Sequence, residues 1–411
     1  MKRAVILLAA LAGSLGASHA QADEIQAMGG TYTEPVVSIK QSAGRMLIKT
    51  GQREIPLASV KAIRFRSASA DDGARLLLNT GDVLYGTIEG GDEDTVGLRS
   101  KTLGKQTVPL ELVRAVVPAG GSQATRALRA SLKDTEETDW VRLKNGGTVK
   151  GSVVQIDGTR VTIDTDSEGG SNMDVMSFGF DKVDLISIAP LDDPAPAGDG
   201  LVTVARLTDG STLTGQLESL EQANLSLQHP LGGKAPVKIP VAKVAELIVR
   251  GGLFVYLSDL TPTNVKQNFP REYTYEVEVW GYKKDSSVTG GKLRLDGRAY
   301  DKGLGVHSYC ELTYKLGGGF KEFKATIGLD DSVRTLGEPG FGAVVFQVLL
   351  DGKPAKELRT GVVKRKGDKA TQLRVDVSGA KTLTLVAGLD PTSLHVLGRA
   401  DWADAHLIRS R

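Results

Sequence analysis

A glycine-anchored pattern that returns three times constrains this chain more than any other feature. Gly81-Asp82-Val83-Leu84-Tyr85-Gly86-Thr87-Ile88 recurs as Gly146-Gly147-Thr148-Val149-Lys150-Gly151-Ser152-Val153 and as Gly210-Ser211-Thr212-Leu213-Thr214-Gly215-Gln216-Leu217. In each copy a glycine opens a turn, an aliphatic follows three residues on, a second glycine five on and another aliphatic seven on. Fifteen residues after each opening glycine comes an alternating pair: Val96 and Leu98, Val161 and Ile163, Leu225 and Leu227. A closing segment follows in all three: Pro109 to Val113 with Val116, Gly179 to Val183 with Ile186, and Pro240 to Val244 with Leu247. Pro56-Leu57-Ala58-Ser59-Val60 with Ile63 repeats that closing segment behind a degenerate start.

Self-similarity at a fixed spacing marks a repeated supersecondary unit. Alternation of period two, hairpin-type glycines and β-branched residues make the unit stranded rather than helical. The second glycine, inside a strand pattern, is expected to mark a bulge or bend where a small sheet curls on itself. A unit of about 50 residues suits a five-strand SH3-like or Sm-like barrel. No copy carries the basic and aromatic face that single-stranded nucleic acid requires, so spacer or protein-contact modules are expected.

Lys2 and Arg3 precede an apolar run from Ala4 to Leu15, followed by small residues. That is the pattern of a secretory leader, cleaved after Ala20 or Ala22, and the run is short of the roughly 20 residues a membrane span needs. The expected location is the periplasm or the extracellular space. The 51 basic and 49 acidic residues nearly cancel, which removes any bulk electrostatic reason to invoke nucleic acid or an anionic membrane. Cys310 is the single cysteine, so no intramolecular disulfide can form; its alternating surroundings read as a buried structural thiol.

Composition changes after Gly252: fifteen of the 21 aromatic residues lie in residues 252–411. Short alternating runs at Phe320–Ile327, Ala343–Leu350, Gln372–Val377 and Lys381–Ala387, set between glycine and Asp-Gly turns, read as an all-β sandwich. Six blocks stand in order along it: Tyr256-Leu257-Ser258-Asp259-Leu260; Gly303-Leu304-Gly305-Val306-His307-Ser308; Ile327-Gly328-Leu329-Asp330-Asp331; Val345 to Val348 ahead of Asp351-Gly352; Val377-Ser378-Gly379-Ala380; and Ala400 to Ala405. In these blocks residues 252–411 resemble NPCBM, a carbohydrate-binding module first noted beside a glycoside hydrolase family. The resemblance implies a galactose-binding-like jelly roll whose loops at one end hold a sugar, galactose-like or part of a cell-surface polysaccharide, and which often carries a structural calcium.

Sugar binding needs a flat ring against the C–H face of a pyranose and planar polar groups for its hydroxyls. Trp280, Tyr282 and Tyr300, in or beside loop-like sequence, are the stacking candidates, with core packing as the alternative. His307 is a candidate hydrogen-bonding contact or a satisfied buried imidazole. Asp330 and Asp331 are read as sugar contacts or as turn-opening residues. Asp401 and Asp404 are candidate calcium ligands, since hard oxygen donors on loops suit that ion; no other cofactor is required. Trp402, in an alternating terminal strand, is expected in the core. A glycosidase would need two carboxylates at a defined separation, which spacing along a chain cannot establish, and the standard catalytic motifs are absent.

The expected layout is all-β: leader 1–22, a degenerate half-unit 31–67, barrels at 72–118, 139–189 and 201–251, and the jelly roll at 252–411. Linkers at 119–138, helical over Ala124 to Leu132, and at 190–200, proline-rich, separate the barrels. The function that follows is non-catalytic glycan recognition by the jelly roll, with the barrels as spacers or protein-binding modules. The rival is a scaffold that binds protein and no sugar; a glycoside hydrolase is the remaining alternative.

Overall fold

The computed structural model describes residues 23–28, 30–121, 132, 138–165, 175–190, 200–267, 280–336, 341–358, 361–391 and 396–410. The expected leader at 1–22, most of the linker expected to be helical at 119–138 and most of the proline-rich linker at 190–200 lie outside the described residues. Among those described there is no α-helix, only strands and short 3-10 turns, and no helix long and apolar enough to cross a membrane. Contacts divide the chain into two compact units: Met1–Ile55, Ala62–Pro194 and Val204–Ile248 in the first, Pro56–Lys61, Ala195–Thr203 and Val249–Arg411 in the second.

In the first unit the repeat is a curled half-barrel. The copy at 72–118 runs Ala74–Leu78, Val83–Gly91, Thr95–Ser100, Gly104–Pro109, a 3-10 turn at Leu110–Leu112, and Val113–Val117. The next supplies Asp139–Leu143, Thr148–Ile156, Arg160–Asp164, Val175–Gly179 and Val183–Ser187. Opening glycines Gly81, Gly146 and Gly210 take φ of 81°, 91° and 91°, values a side chain would resist. Ile88, Val96, Leu98, Val153, Val161, Ile163, Leu217, Leu225 and Leu227 are all buried, so the alternating positions are the core-facing ones.

The second glycine does something other than mark the bulge. Register shifts fall later, between Val153 and Gln155 and between Leu217 and Ser219. At the glycine itself the following strand's backbone passes where a side chain would be: a Cβ on Gly86, Gly151 or Gly215 would lie 2.4, 2.0 or 1.9 Å from the carbonyl oxygen of Arg99, Asp164 or Gln228. The repeat requires glycine there because the curl brings two backbones together.

Half-barrels join through their closing strands. Val113–Val117 pairs with Val183–Ser187, Ala115 opposite Ser187, to make one ten-stranded sheet. The segment read as a half-unit at 31–67 is preceded by Glu24–Ala27, which pairs with Gly30–Thr33. Its closing strand, Val60–Arg64, pairs with that of the third copy, Leu247 opposite Ile63, in an eleven-stranded sheet.

The first and third copies also meet reciprocally. Asp82 and Ser211 each follow an opening glycine; Tyr85 and Thr214 each precede a second glycine. Asp82 accepts from the backbone N–H and hydroxyl of Thr214 at 2.9 and 2.7 Å, and Ser211 Oγ accepts from the N–H of Tyr85 at 2.9 Å. His229 Nε2 reaches the same Asp82 carboxylate at 3.1 Å while its Nδ1 accepts from Leu231 N–H at 3.0 Å. Burial pushes the Asp82 carboxyl up, but the hydrogen bonds from His229 and Thr214 outweigh it and leave the carboxyl below its ordinary range. With both ring nitrogens bonded and the ring buried, His229 is a structural bracket.

The second unit is a sandwich. One sheet runs Lys283–Lys284, Gly303–His307, Arg399–Arg409, Phe320–Leu329, Thr371–Asp376, with Phe254–Tyr256 also on Arg399–Arg409. The facing sheet runs Asn264–Gln267, Cys310–Lys315, Thr382–Leu389, Ala343–Leu350, Lys353–Pro354, with Val362–Arg365 also on Ala343–Leu350. Between them Trp402 is buried as expected, edge-on to Phe346 at 5.1 Å. Cys310 is buried too, its thiol pushed up to about 12 by burial and then by Glu311, which leaves it unreactive.

Two glycines of this unit, Gly305 and Gly328, answer to a cover on the first sheet. The hairpin Leu293–Leu295 and Arg298–Tyr300 and the turn before it lie against the sheet. A Cβ on Gly305 would meet Ser286 O at 2.2 Å, and one on Gly328 would meet Leu295 Cδ2 at 3.0 Å.

Candidate functional site

His307 ends one strand, Leu329 a second and Leu389 a third; Cys310, Ala343 and Arg399 begin others. Pairing places these positions together, with His307 opposite Arg399, Leu329 opposite Ala400, and Val344 opposite Leu389. Ser308 and Tyr309 alone separate His307 on the first sheet from Cys310 on the second. One end of the sandwich is thereby fixed, and the candidate residues are best described from it.

Trp280 and His307 come together at this end, ring centroids 5.1 Å apart and tilted by 32°. The Arg399 guanidinium carbon lies 4.9 Å from the same indole, a cation over an aromatic face. Backbone bonds hold the arrangement: His307 Nδ1 to Ser308 O at 2.8 Å, Ser308 N–H to Gly398 O at 2.9 Å, and Gln267 Nε2 to Trp280 O at 3.3 Å. His307 is buried, so it supports the indole from within rather than facing solvent.

Other candidates go elsewhere. Tyr282 is half-buried and packs on the sandwich core, and burial, then Cys310, pushes its hydroxyl up. Tyr300 lies on the covering hairpin opposite Leu293, with Arg298 over its ring at 5.0 Å.

Asp330 caps the 3-10 turn Asp331–Val333 by accepting from Ser332 N–H at 3.0 Å. Its other oxygen shares the Arg294 N–H with Asp401, at 3.2 and 3.3 Å. Asp331 accepts from the N–H groups of Asp296 and Gly297, at 3.1 and 2.7 Å, and from Arg334 at 2.7 Å. These carboxylates pin the hairpin to the end of the sheet and leave Asp330 no exposure to a sugar. Burial, then the charge and hydrogen bond of Asp330, hold the Asp401 carboxyl well above the usual range. A wholly buried carboxyl cannot flank a glycosidic bond.

Asp404, the other candidate calcium ligand, holds the Lys61 ammonium with both oxygens at 2.5 Å. Asp401 is buried beside Asp330 and Asp404 is neutralised by a cation, so the pair fits a calcium ion poorly. Among the described residues no three His, Cys, Asp or Glu side chains converge as a metal site.

Phe341 was not singled out from sequence, and the structure gives it a place at this end. It is 40% exposed, beside Val396 at 38% and Leu336 at 37%. Gly342 N–H donates to Val396 O at 3.1 Å, Lys366 N–H to Gly342 O at 2.8 Å and Lys366 Nζ to Leu336 O at 2.6 Å, which ties the three chain segments together. The signal for Phe341 was slight: one aromatic residue among glycines, with no period.

Residues 254–408 match the family model of the NPCBM/NEW2 domain. A protein of Renibacterium salmoninarum, named as a candidate endo-alpha-N-acetylgalactosaminidase, is 26% identical over 218 residues, 51% of this chain and 14% of that protein. The chain thus spans about one seventh of that relative. Among solved structures, the CBM51-2 and INT domains of Clostridium perfringens ZmpB align at 27% identity and a TM-score of 0.32, over 38% of this chain and 31% of theirs. The CBM51 of Clostridium perfringens GH95, in complex with methyl-galactose, aligns at 23% and 0.31, over 38% and 99%. Tandem CBM51 modules from the family 98 glycoside hydrolase of Streptococcus pneumoniae align at 13% and 0.32, over 82% and 88%.

Proposed function

We propose that the NPCBM/NEW2 domain at residues 254–408 binds a glycan, without catalysis, at the sandwich end that carries Trp280 and Phe341. The observation that carries this reading is an indole braced by His307 and Arg399 at the same end as an exposed phenylalanine rim. Rigid rings beside planar donors are what pyranose recognition requires. The leader-like start supports export to the periplasm or beyond, where polysaccharide is met. The half-barrels act as SH3-like spacers or protein contacts, since their glycines and buried polar bracket serve packing. The non-catalytic reading is supported by the burial of Asp401.

A glycan array probed with the full chain tests this. Trp280→Ala and Phe341→Ala should each weaken the best hit by about 1–2 kcal/mol, roughly ten-fold, with the circular dichroism spectrum unchanged. A blank array from folded protein, or a hit indifferent to both substitutions, would remove the proposal.

A further inference from the structure

We infer that the cleft between the first two half-barrels seats a basic segment of a partner protein. The inference rests on the protein-contact reading of the half-barrels given above, and it is independent of glycan binding by the sandwich.

The cleft encloses about 980 Å³, at the upper end of the range for ligand-holding cavities, about 300–1,000 Å³. Leu110, Ile188 and Pro190 give its wall apolar surface, and Glu93, Asp94 and Glu111 give it carboxylates. Asp139, the other acid in the wall, is occupied: it accepts from Val153 N–H and Ala189 N–H, each at 2.8 Å. Those bonds pin the second half-barrel's side of the cleft. Glu93, Asp94 and Glu111 are exposed, and among the described residues no cation pairs with them.

The fold does not need these acids. The two turns that carry them are joined by backbone, Leu110 N–H to Asp94 O at 2.7 Å. The other copies make the same bond, Phe180 N–H to Thr159 O at 2.9 Å and Val241 N–H to Ala223 O at 2.8 Å. At the positions of Glu93, Asp94 and Glu111 they carry Gly158, Thr159 and Asp181, or Gln222, Ala223 and Ala242. Only the first copy sets three carboxylates on these turns, so the acids answer to something other than folding.

The half-unit shows what such a turn can hold. In its equivalent turn, Leu57–Ser59, both Leu57 and Ser59 are buried. The chain entering the strand Phe254–Tyr256 crosses it there, with Leu253 N–H donating to Ala58 O at 2.8 Å. In the first copy the turn Leu110–Leu112 has no buried residue, and Glu111 stands where the half-unit has Ala58. The seat for polypeptide is therefore open and negatively charged, which selects a segment bearing Lys or Arg. The sequence that follows Pro190 carries Asp192 and Asp193, which the same carboxylates repel. With the whole chain at +2, its bulk field draws no polycation, and attraction has to come from the cleft itself.

The test is fluorescence anisotropy of the full chain with a short labelled peptide alternating lysine and alanine, beside matched peptides with glutamine or glutamate for lysine. The lysine peptide should bind, and its binding should weaken about ten-fold between about 0.05 M and about 0.5 M salt. Glu93→Gln with Glu111→Gln should lower affinity about ten-fold, with the circular dichroism spectrum unchanged. Glu54→Gln with Glu357→Gln, which removes the same charge from exposed sites elsewhere, should leave it as it was. No binding of the lysine peptide, equal binding of the glutamine peptide, or an equal loss in both double variants would overturn the inference and leave glycan recognition standing. Tighter binding after Arg126→Gln with Arg129→Gln would assign the cleft to the chain's own linker and overturn it as well.

Discussion

Gly215→Ala should destabilise the first unit by about 3 kcal/mol or more, at or beyond the usual upper end for overpacking. The new methyl carbon would stand 1.9 Å from Gln228 O and 2.9 Å from its carbonyl carbon. Neither is the movable end of a side chain. Relief requires the strand holding Gln228 to retreat, yet that strand is laddered to the glycine's own strand at Gln216–Gln228 and Leu217–Leu227. Opening those pairs exposes Leu217, Leu225 and Leu227, all buried. Gly151→Ala should act almost as strongly and Gly86→Ala somewhat less, following their 2.0 and 2.4 Å approaches. Gly51→Ala is the control: nothing lies within 4 Å and its φ is not in the left-handed region, so it should be neutral or stabilise by up to about 1 kcal/mol through the unfolded chain. Urea midpoints, with hydrogen exchange at Thr212–Glu221 and Asn224–Gln228, report the effect. A Gly215→Ala protein as stable as Gly51→Ala would show that the curl does not depend on close backbone approach.

That glycine illustrates what sequence carries and what it leaves unsaid. Its repetition was plain, because period and residue type survive in a string, but its reason was not. A bulge and a tight crossing both favour glycine, and only the fold separates them. Core membership was legible for Trp402, Cys310 and the repeat's aliphatics, since strand alternation sorts faces directly. The run at Ala343–Leu350 is a strand at the expected residues. Partner choice between half-barrels was not legible: the closing strands around Ile63, Val116, Ile186 and Leu247 are all aliphatic, so nothing local says that Ile63 faces Leu247 while Val116 faces Ile186. At the sandwich end the same limit applies to polar groups. Trp280 and His307 were both candidates, but their contact depends on Lys283–Lys284 pairing with Gly303–His307 across the intervening hairpin. Asp330 and Asp401 lie 71 residues apart and share one amide donor, an arrangement that only antiparallel pairing of their strands produces.

Asp401→Asn should stabilise the second unit above neutral pH and flatten its stability across the pH range. Burial and the neighbouring Asp330 raise the folded-state pKa of Asp401, so the folded protein keeps a proton that the unfolded chain has already released. Stability is then fullest below the ordinary carboxylate range and declines as pH rises from there toward the folded-state pKa, by about 1.4 kcal/mol for each pH unit in that window. Asparagine is close in shape, carries no charge at any pH, and can donate to Asp330 while its oxygen still accepts from Arg294 N–H. At pH 4 the variant and wild type should match, because the native carboxyl is protonated there. At pH 8 the variant should be the more stable, a gain rather than the loss usual for a buried polar substitution. Urea midpoints of both proteins between pH 4 and 8, with a protonated-carboxyl infrared band just above pH 6 that is stronger in wild type than in the variant, decide it. Parallel pH profiles would mean that Asp401 is not the proton-holding group. The consequence reaches the sandwich end that carries Trp280, since the Arg294 amide that joins the two carboxyls also anchors the hairpin covering the sheet. Its hold should loosen in wild type as pH rises and stay constant in the variant, visible as hydrogen exchange at Arg294.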